Sequence, residues 1–387
     1  MLADLENVEK SGSVDPLYNL AVSLRANRPV LAKFFADLVS GQTDDPTLKQ
    51  KIKTEFSDLN LNLKPVSDDE LLLRETPLDK VSILRRLSPD RLPSKLVATI
   101  KLTEPNWFPL NPSCVRTPEG TTTICRVVNY FNHGMYYTIF HPQQKIISRN
   151  LLIKYDDGWR EISREEVVDL TQKTTYPKPF GGFEDCRLFQ SGDQLKFTAT
   201  TWETHPEMMA AISLGELDGP RVSNLLVTPR PKTKNEKNWL PFIYQGQESA
   251  LYWYSPLTII RLSDGATILE RTFNCDLSRF RGGAGPIPFE GGWLCLVHDK
   301  VQSDPSFIFF NRFLWFNADF SQLQVSKTFY CHKLGIEFVS GMCPARDGTS
   351  DTIILGVGVD DREAIFLEVD SSVVSGLINS DYRYTVC

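Results

Sequence analysis

The stretch that decides the fold is "EDCRLFQSGDQLKFTATTW", residues 184–202. It predicts a β-hairpin, because two runs rich in apolar, aromatic and β-branched residues, 186–190 and 195–202, flank a Ser-Gly-Asp turn at 191–193. The acidic pair and the arginine that begin the stretch are therefore held on a sheet rather than in a loop.

The same order of strand, glycine-containing turn and strand occurs five times. The turn glycines are Gly120, Gly192, Gly246, Gly291 and Gly348, which lie 45 to 72 residues apart. A third candidate strand follows each hairpin, at 148–156, 209–218, 257–264, 307–316 and 364–370. Five four-stranded units of this period predict an all-β, five-bladed β-propeller, and a β-sandwich is the alternative.

The beginning of the chain has a different pattern. Residues 14–41 are predicted to be helical, because an acidic capping residue and a proline precede apolar residues at helical spacing. Further helices are predicted at 68–75 and 78–87. We therefore predict an N-terminal helical segment over residues 1–94 and a propeller over 95–387.

The composition argues against several classes of function. The net charge of −6, the pI near 5.5 and the lack of a Lys/Arg block argue against nucleic-acid binding. No basic and apolar leader begins the chain and no apolar run reaches about 18 residues, so a cytoplasmic protein without a membrane span is expected. The eight cysteines form no CxxC pair and the five histidines have no metal-ligand spacing, so neither a metal nor another cofactor is predicted.

Polar residues recur at the innermost strands and in the loops between the second and third strands of each unit. In a propeller these positions surround the central channel. The residues are Asn129, Asn132 and His133 in the first unit, Glu184, Asp185, Arg187 and Glu203 in the second, Lys237, Asn238 and Tyr254 in the third, His298 and Asp299 in the fourth, and Glu337, Asp360, Asp361 and Arg362 in the fifth. We expect them to converge on one funnel.

Two roles fit the adjacent acids Glu184 and Asp185, which lie close to Arg187. Repulsion between the two acids can raise the pKa of one carboxyl while the other stays ionised. Cleavage of a glycosidic bond needs one protonated and one ionised carboxyl. The alternative is an ion pair with Arg187 that only fixes the start of the blade. Because adjacent strand residues face opposite ways, we expect at most one of the two acids to face a given ligand.

Other segments offer cations and amides. Arg149 and Asn150 come directly before an apolar strand, and a planar guanidinium suits phosphate, carboxylate or paired sugar hydroxyls. Lys237 precedes another buried strand, where it could bind an anion. The "DDR" of residues 360–362 repeats the acid-acid-arginine pattern. The structural alternatives are that Arg149 caps a loop, that Lys237 is an ordinary surface lysine, and that residues 360–362 form a salt bridge between blades.

Four segments, "FEDCRLF", "KNWLPF", "GGAGPIPFEGGWLCLVHD" and "GIEFVSGMCPARDGTSDTIILGVGVDDREAIFLEV", resemble in order and spacing the motifs of glycoside hydrolase family 130. That family consists of five-bladed propellers and includes β-mannoside phosphorylases and β-1,2-mannosidases. The sequence resembles still more closely a group of such propellers that is often joined to glycosyltransferase modules. The resemblance spans roughly residues 95–370. It implies an oligosaccharide or glycoconjugate substrate and a glycosyltransferase partner.

The resemblance also implies roles for individual residues. In the family, the Asp of a Glu-Asp-Pro-Arg motif is the general acid, which acts through a sugar hydroxyl in an inverting attack by phosphate or water. The matching acid is Asp185, with Arg187 beside it. Arg149 and Asn150 match the pair that faces sugar and phosphate, and Lys237 matches a phosphate-facing lysine. The predicted substrate-binding set is completed by Glu184, Asn238, His298, Asp299, Asp361 and Arg362.

The sequence departs from the family pattern at two places. Cys186 replaces the motif proline, and the third unit ends "LYWYSP" without the histidine and arginine of the phosphorylases. Each lost charge-assisted hydrogen bond removes about 1.5–3 kcal/mol of phosphate binding. Inorganic phosphate is therefore one of three candidate acceptors, beside water and a sugar hydroxyl. The alternatives to an enzyme are a non-catalytic glycan-binding propeller in a glycan-building assembly and a protein-interaction propeller with an apolar rim.

Overall fold

The structure is a computed structural model that describes most of the chain from residue 90 onward. Beyond that point, the residues left undescribed are 133–136, 208, 230–234, 304–305, 346–350, 380–382 and 387. Of residues 1–89, it describes 18–19, 21–22, 25, 32, 36, 39–40, 43 and 45–57. The chain divides into two compact units, Met1–Ser88 and Pro89–Cys387.

The second unit consists largely of strands. The first nine are β1 (Asp90–Arg91), β2 (Lys95–Ile100), β3 (Phe108–Thr117), β4 (Gly120–Val128), β5 (Tyr130–Asn132), β6 (Tyr137–Ile139), β7 (Ile146–Tyr155), β8 (Glu161–Glu166) and β9 (Val168–Asp169). The next nine are β10 (Phe180–Gly181), β11 (Glu184–Ser191), β12 (Gln194–Thr201), β13 (Ala211–Asp218), β14 (Arg221–Val227), β15 (Leu240–Tyr244), β16 (Gln247–Tyr254), β17 (Leu257–Arg261) and β18 (Thr267–Arg271). The last nine are β19 (Arg281–Phe289), β20 (Gly292–Ser303), β21 (Ser306–Asn317), β22 (Gln322–Val325), β23 (Phe329–Tyr330), β24 (Glu337–Pro344), β25 (Thr352–Val359), β26 (Glu363–Asp370) and β27 (Arg383–Thr385).

Five sheets form the blades of a propeller. In order from the centre outward, blade 1 is β3–β4–β7–β8, blade 2 is β11–β12–β13–β14, blade 3 is β15–β16–β17–β18, blade 4 is β19–β20–β21–β22 and blade 5 is β24–β25–β26–β2. The inner strands contact one another in a closed ring, in the order β3, β11, β15, β19, β24 and back to β3. The predicted five-bladed propeller is therefore confirmed, because two stacked sheets would give no such ring.

The hairpin that suggested the fold forms as predicted. Strands β11 and β12 pair antiparallel, and the turn between them contains Gly192 with a φ of 59°. Positive φ is readily available to glycine because it lacks a Cβ. The third strands of all five blades are also confirmed. The fifth turn glycine, Gly348, lies outside the described residues.

Apolar side chains fill the spaces between adjacent blades. One cluster joins blades 1 and 5 through Cys114 and Ile354, and another joins blades 1 and 2 through Ile124 and Phe197. The ring closes in blade 5, where the N-terminal strand β2 pairs antiparallel with the C-terminal strand β26. The two ends of the propeller sequence are thus held in one sheet, and the inner strands keep fixed positions around the channel.

The glycine-rich stretch 282–285 of blade 4 packs closely against its neighbours. A Cβ on Gly282 would lie 2.3 Å from the backbone oxygen of Asn238. Gly285 has a φ of 86° and no space for a side chain. Gly282 therefore brings the start of β19 directly against the Asn238 segment, which borders the channel.

The helices lie at the two ends of the chain. In the predicted helix at 14–41, the described residues are helical apart from Arg25, which is in a turn. The predicted helices at 68–75 and 78–87 lie outside the described residues. Two helices were not predicted, α1 (Pro46–Glu55) and α2 (Ser371–Ile378). In the described part of the chain, no helix combines the length and the apolar character that crossing a membrane requires.

Candidate active site

A cavity of about 740 Å³ opens where residues of all five blades meet. Its volume is within the usual range for small-molecule sites. Seven of the predicted site residues line it, namely Glu184, Asp185, Lys237, Asn238, His298, Asp299 and Asp361. Most of the other lining residues are also polar or aromatic, among them Asn111, Arg126, Tyr137, Trp253, Arg279, Arg281 and Lys300.

Both adjacent acids of β11 line this cavity, which differs from the expectation that at most one would. The β11–β12 register shifts between Glu184 and Arg187, and Asp185 adopts a φ of 52°. A bulge of this kind re-aims side chains that a regular strand would alternate. As a result, the carboxylates of Glu184 and Asp185 lie 3.8 and 3.0 Å from the same Nη1 atom of Arg126.

Asp185 is held by groups from blade 1. Its Oδ1 accepts hydrogen bonds from Arg126 Nη1 at 3.0 Å and from Asn111 Nδ2 at 2.8 Å. Burial by itself raises the pKa of this carboxyl, but the charges of Arg126 and Arg187 more than offset burial, and the pKa lies below its ordinary value. Asp185 is therefore ionised at neutral pH in the free protein.

Glu184 faces blade 3. Lys237 Nζ donates to its Oε1 at 2.7 Å, and the indole Nε1 of Trp202 donates to its Oε2 at 2.9 Å. The Lys237 ammonium also lies over the Trp202 ring, 5.2 Å from the ring centroid. The lysine that the resemblance assigns to phosphate is thus already paired with a carboxylate of the site.

Arg187 lies beneath the cavity and joins three blades. It is 4% exposed, and its guanidinium donates to the backbone oxygens of Gly282 and Gly283 and to the side-chain oxygen of Asn238. It also donates to the backbone oxygen of Asp185, at 3.0 Å. The arginine therefore fixes the backbone that carries Asp185, while the carboxylate itself pairs with Arg126.

Asp361 enters the cavity from blade 5. It has a φ of 54°, and its Oδ2 accepts a hydrogen bond of 2.7 Å from Asn132, on the β5–β6 hairpin. Burial raises the pKa of Asp361 above its ordinary value, and the nearby negative charge of Asp185 acts in the same direction. The cavity thus contains two aspartates whose pKa values are moved in opposite directions.

Blade 4 contributes a wall of basic residues. Arg281 pairs across the sheet with His298, and Arg279 Nη2 lies 3.3 Å from Asp299 Oδ2. His298 is 5% exposed, and burial lowers the pKa of its imidazole to about 3, so the ring is neutral. Burial also raises the pKa of Asp299.

Besides Arg187, three predicted site residues lie away from the cavity lining. Arg149 pairs with Glu104 and Glu166, each at 2.7 Å. Strand alternation explains its position, because Asn150 lies opposite Arg126 in the β4–β7 register and the adjacent Arg149 faces the other side of the sheet.

Asn150 and Arg362 have contacts of their own. Asn150 is buried and donates to the backbone oxygen of Phe183, and its side-chain oxygen accepts from the Cys186 thiol at 3.5 Å. It therefore supports the segment that leads into Asp185, including the cysteine at the motif proline position. Arg362 stacks on Phe131, with 4.5 Å between the guanidinium carbon and the ring centroid.

The central arginine of the site, Arg126, was not among the residues predicted from the sequence. Arg126 is 8% exposed and lies on β4, within the buried run "TTTICRVVNY" of residues 121–130. A charged residue within a buried strand is rarely tolerated without a partner, so this position carried a signal. Asn111, Arg279 and Arg281 were missed as well. No cluster of metal-ligating side chains occurs among the residues that the structure describes.

No protein-family model matches the sequence, and no curated protein is significantly similar to it. Several solved structures have a similar fold. β-1,2-Mannobiose phosphorylase from Listeria innocua has 16% identity and a TM-score of 0.49, over 73% of this chain and 96% of that one. MPT-4, a mannose phosphorylase from Leishmania mexicana, has 11% identity and a TM-score of 0.44, over 71% and 89%.

Members of glycoside hydrolase family 130, which the sequence motifs resemble, are among these structures. One is described with mannoside phosphorylases and with hydrolases of β-1,2-mannosidic linkages in Candida mannan. It has 13% identity and a TM-score of 0.44, over 73% of this chain and 97% of that one. At these identities the similarity concerns the fold.

Proposed function

We propose that the protein is an inverting carbohydrate-active enzyme that cleaves or transfers β-mannosides or related glycosides, with Asp185 as the proton donor. The observation that carries this proposal is the convergence of Asp185, Glu184 and Asp361 on one cavity, with Arg126 and Asn111 bonded to the Asp185 carboxylate. A protein-interaction propeller with an apolar rim does not account for this concentration of charged groups.

The chemistry requires a proton at the glycosidic oxygen as the bond to the anomeric carbon breaks. In the proposed mechanism Asp185 supplies that proton through a hydroxyl group of the sugar, while the acceptor attacks the anomeric carbon from the opposite face. Arg126 and Asn111 hold the carboxylate in place, and Arg187 fixes its backbone. The conjugate base formed after transfer is stabilised by the same cations.

The lowered pKa of Asp185 describes the free protein, in which the carboxyl is ionised. A sugar that fills the cavity excludes water from this carboxyl, and desolvation favours its protonated form. Asp361 is the second candidate for the donor, because burial raises its pKa in the same cavity. The two assignments are separated by matched substitutions of the two aspartates.

Water or a sugar hydroxyl is favoured over phosphate as the acceptor. Lys237 is paired with Glu184, Arg149 lies outside the cavity, and the third blade contributes Tyr252 and Trp253 to the lining. A phosphate dianion needs several charge-assisted donors, and two of those implied by the resemblance are engaged by carboxylates. A glycosyltransferase that supplies or receives the glycan is proposed as the partner.

The experiment is to incubate the protein with β-linked manno-oligosaccharides, with and without inorganic phosphate. Release of mannose supports hydrolysis, mannose 1-phosphate supports phosphorolysis, and longer oligosaccharides support transfer. NMR of the first product shows whether the anomeric configuration is inverted. Binding of the oligosaccharides without any turnover would support the non-catalytic glycan-binding alternative and would contradict the enzymatic proposal.

A further inference from the structure

The blade 4 side of the cavity has a group of cations that the proposed mechanism does not use. Arg279 and Arg281 come from the segment that begins β19, and Lys300 comes from β20. All three line the cavity. Arg281 and Lys300 are exposed, whereas Asp185 is mostly buried. This difference in exposure puts the cations toward the mouth of the cavity.

Arg281 is held in position by groups other than carboxylates. Its Nη1 donates to the backbone oxygens of Ser278 and Phe280, at 2.7 and 2.8 Å, and its guanidinium stacks on Trp253 at 5.1 Å. None of the residues that the structure describes offers a carboxylate within 4.0 Å of this guanidinium. Arg281 thus presents an ordered positive charge that no acid of the described chain neutralises.

The neighbouring His298 is a second, independent feature of this wall. It is 5% exposed, and its Nδ1 has no hydrogen-bond partner among the described residues. Its ring packs against Phe309 and Phe338, with centroid distances of 5.3 and 5.0 Å. A buried polar atom of this kind normally has a partner, and it is satisfied when a ligand or water supplies one.

The cations on the opposite side of the cavity differ from Arg281, because they are paired with carboxylates. Arg126 Nη1 lies 3.0 Å from Asp185, and Lys237 Nζ lies 2.7 Å from Glu184. An anionic ligand group would compete there with carboxylates of the protein. On the blade 4 side, Arg279 Nη2 lies 3.3 Å from Asp299 Oδ2, and Asp299 itself is mostly buried.

We propose that Arg279, Arg281, Lys300 and His298 form a subsite for an anionic group, a phosphate or carboxylate, carried by the part of the glycan that extends from Asp185 toward the mouth. The inference rests on the proposed function for the sugar that occupies the rest of the cavity. The planar guanidinium of Arg281 suits two oxygens of such a group. The neutral imidazole supplies a hydrogen bond without adding charge. The substrate class is therefore an anionic glycan rather than a neutral one.

The test is an NMR-detected titration with four probes, namely mannose 6-phosphate, mannuronate, mannose and inorganic phosphate. The variants are Arg281→Gln, Lys300→Gln and, as a matched control for the lost charge, Arg160→Gln, whose side chain is 85% exposed on the outer part of blade 1. We expect at least one charged sugar to bind about tenfold more tightly than mannose, since each tenfold corresponds to about 1.4 kcal/mol. Arg281→Gln and Lys300→Gln should each remove most of this preference, and Arg160→Gln should preserve it.

Three results would overturn the inference. The first is equal affinity of the parent protein for charged and neutral sugars. The second is a preference that persists in both Arg281→Gln and Lys300→Gln. The third is binding of inorganic phosphate as tight as that of mannose 6-phosphate, because the anion would then be a free ion rather than part of the glycan. Each variant is first checked for an unchanged melting temperature. The titration measures binding alone, so failure of the proposed catalysis would leave its result intact.

Discussion

Two segments of the propeller share an acid-acid-arginine pattern, and yet the pKa values of their aspartates are shifted in opposite directions. In blade 2 the segment is 184–187, and in blade 5 it is 360–362. Asp185 and Asp361 both have left-handed backbone conformations, with φ of 52° and 54°, and both line the cavity. The pKa of Asp185 lies below its ordinary value, and that of Asp361 lies above it.

The difference comes from the neighbours rather than from the motif. Asp185 receives hydrogen bonds from a guanidinium and an amide, whereas Asp361 receives one from the amide of Asn132 and lies near other acids. Environments that move two carboxyl pKa values apart are a common basis for dividing acid and base roles. The comparison teaches that the same short motif can supply one carboxyl with a lowered pKa and one with a raised pKa to the same cavity.

The largest effect is expected from removing the blade 2 carboxylate. Asp185→Asn should lower the turnover of an unactivated mannoside by about 10²–10⁴-fold, because the transferable proton is lost. It should also lower the free energy of unfolding by about 1–3 kcal/mol, because Arg126 loses its charged partner. Steady-state kinetics and thermal unfolding measure the two effects.

Asp361→Asn is the matched control for this substitution. It should lower turnover less than Asp185→Asn does, because Asn keeps the shape of the Asp361 side chain and can still accept the hydrogen bond from Asn132. A larger loss in Asp361→Asn than in Asp185→Asn would reverse the assignment of the donor.

The second effect concerns the cation that distinguishes the two aspartates. Arg126→Gln should raise the pKa of Asp185 toward that of an uncompensated buried acid and lower the free energy of unfolding by about 3–5 kcal/mol, the usual cost of breaking a buried pair. The pH-rate profile of the variant should then extend to higher pH. A profile identical to that of the parent protein would show that Arg126 does not control the protonation of Asp185.

The third effect is a difference in stability with pH. When a buried acid has a raised pKa in the folded state, the free energy of unfolding falls as the pH rises above the unfolded pKa of that acid. The reason is that the acid releases its proton in the unfolded chain at a pH at which it keeps the proton in the folded chain. Replacing Asp361 by Asn removes this dependence. The melting temperature of Asp361→Asn relative to the parent should therefore rise between pH 4 and pH 8. For Asp185, whose pKa is lowered, Asp185→Asn should become relatively less stable as the pH rises to the unfolded pKa of about 4, and the difference should stay nearly constant above it.

The smallest effect is expected at Arg149. Its guanidinium is paired with Glu104 and Glu166 and stacks on Trp107, outside the cavity lining. Arg149→Gln should change turnover by less than about twofold and stability by about 1 kcal/mol or less, as for an exposed ion pair. A loss of turnover of tenfold or more would instead support the sugar- and phosphate-facing role implied by the family resemblance.

The regular parts of the fold were predictable because they depend on local patterns. Turn glycines between runs of strand-forming residues predicted all five blades, and Gly192 lies in the predicted turn, with a positive φ. The bulge at Glu184 and Asp185 was not predictable in this way, since it depends on contacts with β12 and with Arg126. Helix α1 was missed although Asp45 and Pro46 repeat the capping signal that was recognised at Asp15 and Pro16.

The site residues were predicted in part for a related reason. Positions next to a recognisable motif, such as Glu184 and Lys237, reach the cavity. Arg126 was missed because its partner lies 59 positions away in the sequence, on another blade. Arg149 was assigned from its motif position, whereas the side of the sheet on which it lies is fixed by the β4–β7 register. Long-range pairings of this kind become visible only when the blades are assembled.

The dependence of cleavage on the leaving group tests the central claim most directly. Acid catalysis matters for a poor leaving group and matters little for one that departs as a stable anion. The turnover of Asp185→Asn should therefore be about 10²–10⁴-fold lower than that of the parent protein on a manno-oligosaccharide. On 2,4-dinitrophenyl β-mannoside it should be less than about tenfold lower. Equal losses on the two substrates, or no loss on the oligosaccharide, would contradict the assignment of Asp185 as the proton donor.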